Sequence, residues 1–238
     1  MNPWLRLLLI PAIVVIGGAI YLWKSTPRKE KPLPGKRRIA CIGDSITFGT
    51  GVVMRRETKA WTYILGRMLG DSFQVLNYGI PGATALLESE VMYKKAHDFV
   101  DAAVQAEPEA YLLMLGTNDA KTVNWCAEDF YRDYNRMIDR MQSGSPAARI
   151  VLMTPATAFQ NPKAKDGSVA FGIDAHTVHS QTAPIVRQIA QERSLPIIDI
   201  HNFTEGHPDW FNDGIHPNAE GNMRLAEFIY QQIIDTLG

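Results

Sequence analysis

Short apolar runs alternate with longer amphipathic stretches along most of the chain. Five of the runs are typical of buried parallel strands, at residues 38–43, 73–79, 110–116, 149–154 and 195–200. Apolar residues recur at helical spacing in segments 58–69, 84–105, 127–142, 176–193 and 218–237. Strands that alternate with helices predict an α/β fold: a three-layer α/β/α sandwich around a five-stranded parallel sheet, with right-handed crossovers that place helices on both faces.

The first 23 residues differ in character from the rest of the chain. Residues 7–23 contain no charged side chain, and the apolar stretch over residues 4–23 approaches the roughly 20 residues that cross a bilayer. Aromatic side chains at both of its ends suit the membrane interface. We therefore predict that residues 1–23 are a membrane anchor, a transmembrane helix through residues 4–23. A cleaved secretory signal is the alternative.

A Pro- and Lys-rich segment, residues 24–36, follows the apolar stretch. Such a composition predicts an extended, solvated linker that leads into a folded domain over residues 37–238. A long tether suits an extracytoplasmic domain beside an envelope substrate. The basic residues that follow the apolar stretch favour a cytoplasmic domain by the positive-inside rule, so both sides of the membrane stay open.

Composition excludes some functions. Hydrophobic residues make up 46% of the chain and the formal net charge is −1, so no basic field predicts a nucleic-acid partner. Cys41 and Cys126 do not have a metal-type spacing, and we predict no metal and no cofactor. The oligomeric state stays open. Five histidines are predicted to be surface residues: His97, His176, His179, His201 and His207.

Polar residues and glycines follow the first three predicted strands. In open parallel sheets a ligand binds beyond the carboxyl ends of the strands, so these residues are expected at one edge. Each group taken singly is also common in turns and loops that have no functional role. The residues concerned are Asp44 and Ser45 after the first strand, Asn77, Gly79 and Gly82 at the end of the second, and Gly116, Asn118 and Asp119 after the third.

A serine, a histidine and an aspartate complete a candidate nucleophilic site. A serine is a poor nucleophile until a base takes its proton, and histidine is the usual base. A carboxylate on the other ring nitrogen fixes the tautomer and stabilises the imidazolium. Ser45 supplies the nucleophile, and Asp213 and His216 lie three residues apart just before the last predicted helix.

Donors for an oxyanion hole are available at the same strand ends. An oxyanion hole needs preorganised N–H groups around the oxygen that becomes negative. The backbone N–H groups of Ser45 and Gly79 and the side-chain amide of Asn118 are the candidates. Asp44 and Asp119 are predicted to hold their loops by accepting backbone hydrogen bonds.

Together these blocks resemble the GDSL/SGNH hydrolase superfamily. The matching blocks are Gly43-Asp44-Ser45, Gly79, Gly116-x-Asn118-Asp119 and Asp213-x-x-His216, in that order along the chain. The resemblance implies Ser45 as nucleophile, His216 as base oriented by Asp213, and Ser45, Gly79 and Asn118 as the oxyanion hole. It also implies a flavodoxin-like sheet of order 2-1-3-4-5 and a serine esterase that works through an acyl-enzyme.

Substrate is the least determined property. Loop 156–175 and segment 52–61 are the candidate walls of the site, and neither contains a long apolar run suited to an acyl chain. The blocks look closest to the branch that removes acetyl or other short acyl groups from carbohydrates. A lysophospholipase or thioesterase acting on lipid esters is one alternative, and a non-catalytic, surface-displayed binding module is another.

Overall fold

The computed structural model describes residues 18–88, 95–123 and 125–237. At its centre lies a parallel sheet with strands β1 (Arg37–Gly43), β2 (Phe73–Gly79), β3 (Ala110–Met114), β4 (Arg149–Met153) and β5 (Ile197–Ile198). Their order is β2-β1-β3-β4-β5, and each neighbouring pair is parallel. The predicted five-stranded parallel sheet and the order that the resemblance implied are both confirmed.

Helices lie between the strands and after the last one. In chain order they are α1 (residues 18–25), α2 (Ser45–Phe48), α3 (Arg56–Lys59), α4 (Trp61–Leu69), α5 (Lys95–Gln105), α6 (Ala127–Gly144), α7 (Ala175–Thr177), α8 (Ala183–Glu192), α9 (Ile200–Thr204) and α10 (Ala219–Leu237). A π-helical turn, Val178–Thr182, joins α7 to α8. Short 3-10 turns are Thr50–Arg55, Ala170–Gly172 and Pro208–Trp210.

The side chains of β1 show why helices cover both faces of the sheet. Ile39 and Cys41 point to one face, Ala40 and Ile42 point to the other, and all four are buried. Because side chains alternate along a strand, two separate apolar faces result. Helices α4 and α10 pack on the first face, and α5, α6 and α8 pack on the second. The predicted three-layer sandwich is therefore confirmed.

Gly43 ends β1 at a sharp turn into α2. A Cβ atom at this position would lie 2.2 Å from Thr47 Oγ1 and 2.7 Å from the carbonyl oxygen of Met114. No real side chain fits in that space, so glycine is required for the strand to run directly into the helix. The turn places Ser45 at the carboxyl edge of the sheet.

The helix predicted over residues 84–105 is wrong in its first part, because its first five residues are not helical. The Leu86 N–H donates to Asp119 Oδ1 at 2.9 Å, and the Leu87 N–H donates to Asp133 Oδ2 at 3.0 Å. Both carboxylates are buried. Because they bind these two backbone groups, tertiary contacts override the helical propensity of the segment.

Two predicted element boundaries also move. Strand β5 ends before the close of the predicted run 195–200, because the Asp199 side chain caps α9. Helix α4 begins inside the predicted segment 58–69, because the Trp61 N–H donates to Asn222 Oδ1 at 3.0 Å. In both cases a side chain binds the first N–H groups of a helix and so determines where it begins.

The predicted linker contacts the edge of the sheet. Gln74 Nε2 donates to the Lys31 carbonyl at 3.0 Å, and Gln74 Oε1 accepts the Leu33 N–H at 2.7 Å. The Asn77 N–H donates to the Glu30 carboxylate at 3.1 Å. These contacts cover the open edge of β2, where an edge strand leaves backbone groups unpaired. Residues 31–35 are nevertheless exposed, so the stretch both contacts β2 and faces solvent.

Most of the predicted membrane segment, residues 1–17, lies outside the described residues. Its last part belongs to α1, where Ile20, Tyr21, Leu22 and Trp23 are exposed. Among the described helices, none has the length and apolar character needed to cross a membrane. The transmembrane helix stays a prediction.

Candidate active site

Ser45 is the first residue of α2 at the carboxyl end of β1. Asp44 caps this helix, and its side chain accepts the Ile46 N–H at 2.8 Å. The Phe48 and Gly49 N–H groups donate to the carbonyls of Asp44 and Ser45. The Ser45 N–H has no acceptor among the described residues, as is usual in the first turn of a helix. This donor is available to bind an oxygen atom of a ligand.

His216 and Asp213 meet Ser45 as the sequence predicted. His216 Nε2 lies 3.0 Å from Ser45 Oγ, and His216 Nδ1 lies 2.8 Å from Asp213 Oδ2. The other carboxylate oxygen, Oδ1, accepts the N–H groups of Ile215 at 3.0 Å and His216 at 2.8 Å. Asp213 therefore holds both the backbone of the catalytic loop (residues 212–217) and the imidazole ring. Ser45 and His216 are 6% and 7% exposed, which keeps bulk water away from their contact.

The electrostatics of Asp213 favour its charged form. Burial raises the pKa of this carboxyl, but the hydrogen bonds from the His216 ring and backbone lower it further, to about 2. Asp213 is therefore an anion at neutral pH. An anion at Nδ1 keeps the ring proton on that nitrogen, which leaves Nε2 as an acceptor for the Ser45 hydroxyl proton.

Asn118 lies on the loop after β3 and is buried. Its Nδ2 donates to the Ala83 carbonyl at 3.0 Å. A side-chain amide has two hydrogens, so this bond fixes the group while one hydrogen stays available for a ligand. The contact supports the predicted role of Asn118 as an oxyanion donor.

Gly79 does not supply the donor that was predicted for it. Its N–H donates to Asn77 Oδ1 at 2.9 Å and is therefore engaged within its own strand end. The glycine is required for a different reason: a Cβ atom there would lie 2.2 Å from the backbone nitrogen of Phe48. Close packing of β2 against α2 explains Gly79, and its assignment to the oxyanion hole is wrong.

The Gly82 N–H is a candidate donor in its place. Its φ of +81° lies in the left-handed region, and its N–H has no acceptor among the described residues. The next residue, Ala83, binds the Asn118 side chain, so the Gly82 amide lies beside that side chain. In the sequence, Gly82 is the second glycine of NYGIPGAT, and the local pattern does not show whether the first or the second glycine is the donor.

Asp44, Gly116 and Asp119 shape the loops around the site. Burial raises the pKa of Asp44 to about 6 and that of Asp119 to about 7, although backbone N–H groups bonded to each carboxyl lower it. Gly116 has a φ of +125°, which lets the chain turn away from β3. Asp44 holds the start of α2 and Asp119 holds the loop after β2. These contacts agree with the supporting role predicted for the three residues.

Loop 156–175 contacts the catalytic loop, as expected for a wall of the site. The Phe159 N–H donates to the Gly214 carbonyl at 2.9 Å. Further along, the Phe171 ring meets the His216 ring edge to face, with 5.2 Å between ring centroids. No pattern in the sequence singled out Phe171, because the contact depends on how a long loop folds back.

Segment 52–61 begins beside the catalytic loop on its other side. Asn212 Nδ2 donates to the Gly51 carbonyl at 2.9 Å. A Cβ atom at Gly51 would lie 2.1 Å from the Pro217 carbonyl oxygen. Glycine at this position therefore permits the close approach that supports the end of the catalytic loop.

The remaining histidines are mostly exposed. His176, His179 and His207 are exposed as predicted, and the side chain of His97 lies outside the described residues. His201 is buried, contrary to prediction, and its Nε2 lies 3.0 Å from His179 Nδ1. Burial lowers its pKa. Within the described part of the chain, no three His, Cys, Asp or Glu side chains cluster as metal ligands would.

Comparison with known proteins agrees with this geometry. Residues 41–224 match the family profile described as GDSL-like Lipase/Acylhydrolase. An acetylxylan esterase from Xylanibacter ruminicola is 31% identical over 211 residues, which are 81% of this chain and 42% of that protein. The chain therefore matches less than half the length of this relative.

Solved structures share the fold. A carbohydrate acetylesterase family member from Sinorhizobium meliloti has a TM-score of 0.70 and 21% identity, covering 85% of this chain and 99% of the other. An aryl esterase from M. smegmatis has a TM-score of 0.69 and 20% identity, covering 84% and 99%. At these identities the likeness establishes the fold alone.

Proposed function

The chain belongs to the GDSL-like lipase/acylhydrolase family, and we propose that it is an ester hydrolase, a serine esterase that removes acetyl or other short acyl groups from carbohydrate. One observation carries the mechanism. Ser45 Oγ lies 3.0 Å from His216 Nε2, while His216 Nδ1 lies 2.8 Å from Asp213. A serine, a base and an orienting anion in this line are the parts that acyl transfer requires.

In the first half of the reaction Ser45 Oγ attacks the ester carbonyl carbon while His216 Nε2 takes the hydroxyl proton. The carbonyl oxygen becomes negative and is bound by the Ser45 N–H, the Gly82 N–H and the second hydrogen of the Asn118 amide. When this intermediate collapses, His216 returns the proton to the departing alcohol oxygen. The products are the free alcohol and an acyl group on Ser45.

In the second half water takes the place of the alcohol. His216 removes a proton from the water as it attacks the acyl carbon, and the same three donors bind the oxygen. Collapse breaks the bond to Ser45 Oγ, which regains its proton from His216. The acid is released and the enzyme returns to its starting state. Asp213 stays ionised and stabilises the imidazolium formed in each half.

The substrate proposal rests on likeness and on the character of the walls. The acetylxylan esterase relative favours acetylated carbohydrate. Of the described residues in loop 156–175, Phe171 alone is a large exposed apolar side chain, because its apolar neighbours Val169 and Ile173 pack inward. A long acyl chain would need a continuous apolar wall. Loop 156–175 does not form such a wall, which disfavours the lipid esterase alternative.

The test combines one substitution with a substrate series. Ser45→Ala should lower kcat on p-nitrophenyl acetate by about 10³ or more, because the nucleophile is lost. Ser143→Ala, at an exposed position of α6, is the matched control and should leave kcat unchanged. Turnover that survives in Ser45→Ala would refute the mechanism. Wild-type protein without any ester hydrolysis would favour the binding module.

The acyl-chain preference then distinguishes the carbohydrate acetylesterase hypothesis from the lipid esterase hypothesis. Across p-nitrophenyl acetate, butyrate, octanoate and palmitate, kcat/KM should be highest for acetate and fall as the chain lengthens. A rising series would point to the lysophospholipase or thioesterase alternative. Release of acetate from acetylated xylan by the wild-type protein, absent in Ser45→Ala, would support the carbohydrate assignment directly.

We propose that residues 4–23 anchor the protein in a membrane and that its esterase domain lies on the extracytoplasmic side. The apolar composition of this segment supports the anchor, and the glycan substrate class supports the side. The basic flank favours the cytoplasmic side instead. Protease added to intact cells should digest the domain, whereas digestion only after lysis would reverse the orientation. Recovery of the domain in the soluble fraction, without its first residues, would indicate a cleaved signal.

A further inference from the structure

We propose that Phe171 is a substrate-contacting specificity residue, an aromatic wall against which the sugar ring of an acetylated carbohydrate stacks while its ester lies at Ser45. The inference rests on the proposed carbohydrate esterase function and adds to it the group that recognises the alcohol part of the ester. Phe171 lies within loop 156–175, in the 3-10 turn Ala170–Gly172.

The backbone of Phe171 is unfavourable for its residue type. Its φ is +63° and its ψ is +18°, in the left-handed region that asparagine and glycine adopt far more readily than phenylalanine. Among the described residues, Glu107 and Ser194 are the other non-glycine residues with positive φ. Both of these follow the last turn of a helix, where a left-handed residue is ordinary. Phe171 does not have that explanation.

The side chain gains little from burial in return. Phe171 is 59% exposed, although its ring touches His216. A phenylalanine that served packing would place its ring in the core, and an exposed turn would more readily hold a polar residue or glycine. An exposed aromatic ring on a strained backbone beside the catalytic histidine is instead typical of a group that contacts a ligand.

The turn is held firmly enough to keep this conformation. Ile173, two residues further on, forms a bridge with Lys121 and is buried against Ile215, the neighbour of His216. The Asp174 N–H donates to the Ala120 carbonyl at 3.1 Å. The turn is thus attached both to the loop that carries Asn118 and to the catalytic loop. A wall fixed to both loops keeps its distance from the reacting atoms.

The chemistry of the surroundings identifies the occupant. Aromatic faces bind the C–H-rich face of a pyranose, while polar groups around them bind its hydroxyls. Elsewhere in loop 156–175, Gln160, Asn161 and Lys163 supply polar side chains. A single exposed ring matches the size of one sugar unit. It is too small to cover a long acyl chain.

The experiment compares two acetate esters that differ only in their alcohol: an acetylated methyl xyloside, and ethyl acetate, both followed by proton release. Phe171→Ala should raise KM for the xyloside by about tenfold or more and leave kcat/KM for ethyl acetate within about twofold of wild type, because only the sugar loses its contact. Phe171→Tyr and Phe171→Trp keep an aromatic face and should retain the preference for the xyloside. Tyr63→Ala removes an exposed aromatic on α4 and is the matched control.

Phe171→Asn and Phe171→Gly separate recognition from a structural role. Either residue relieves the left-handed backbone, so the melting temperature should rise while the xyloside preference is lost. If Phe171 only orients His216, kcat falls equally for both esters, and the proposal is overturned. Wild-type kinetics on the xyloside in Phe171→Ala would overturn it as well. Failure of the esterase assignment itself is distinct, since ethyl acetate would then not be hydrolysed by the wild-type protein.

Discussion

Asp213→Asn replaces one carboxylate oxygen with an NH2 group of nearly the same shape. In the wild-type protein Oδ1 accepts two backbone N–H groups and Oδ2 accepts from His216 Nδ1. The single oxygen of the amide cannot serve both sides. Keeping it on the two backbone donors preserves two hydrogen bonds, so the NH2 group turns toward Nδ1.

This orientation inverts the tautomer of His216. Nδ1 must then accept a hydrogen bond, the ring proton moves to Nε2, and Nε2 presents a donor to Ser45 Oγ where an acceptor is needed. The general base is lost while the distances stay the same. We expect kcat on p-nitrophenyl acetate to fall by about 10⁴, which is about 5 kcal/mol of transition-state stabilisation.

Stability should fall by a separate and smaller amount. Lowering the pKa of Asp213 from 3.8 to about 2 corresponds to about 2 kcal/mol at 1.36 kcal/mol per pKa unit. Because the folded-state pKa is lowered, this contribution is present above about pH 4 and is lost as the pH falls toward 2. Urea unfolding at pH 7 should therefore show a moderately less stable but folded variant.

The matched control is Asp166→Asn, which makes the same replacement in a turn where Oδ1 accepts the Ser168 N–H. It should retain wild-type kcat. Asp213→Asn with more than about a tenth of wild-type kcat between pH 6 and 9 would refute the argument on tautomers. A variant that fails to fold would show that Asp213 contributes more to structure than its hydrogen bonds indicate.

Three further predictions follow from the site and its supports. Asn118→Ala should lower kcat by about 10² to 10³ with KM little changed, because the donor acts on the oxyanion. A raised KM with unchanged kcat would contradict this prediction. Gly51→Ala should lower kcat by about 10², because the new Cβ displaces the Pro217 carbonyl, whereas Gly66→Ala, with its nearest atom at 3.5 Å, should leave kcat unchanged. In the wild-type protein the pKa of Asp119 is raised from 3.8 to about 7, which destabilises the folded state by on the order of 4 kcal/mol at high pH. This destabilisation is absent below about pH 4 and complete above about pH 7. Asp119→Asn should remove it. Urea midpoints at pH 4.5 and 7.5 measure it, and an unchanged slope with pH would count against the raised pKa.

The sheet and the three reacting residues could be predicted from the sequence. The apolar runs near β1 to β4 are local patterns that long-range contacts do not alter, and each strand lies within two residues of its predicted ends. The Asp213-x-x-His216 spacing is also local, since one loop presents both groups. The strand order came from the family resemblance rather than from the pattern.

The surroundings of the reacting atoms depended on contacts between distant segments. Asn77 binds the Gly79 N–H and so leaves Gly82 as the candidate donor, a choice between two glycines that the sequence alone does not rank. The buried carboxylate of Asp119 likewise holds residue 86 out of the predicted helix from 33 positions away.

Neighbours along the chain are enough to predict that a strand ends in Gly43 and presents Ser45, and that Asp213 and His216 share one loop. The tertiary structure decided which N–H groups stay unpaired, that the linker lies on β2, and that Phe171 meets His216. A hydrogen-bond donor is free only when no other part of the chain binds it, and a loop's direction depends on what it packs against. Those properties belong to the folded chain as a whole.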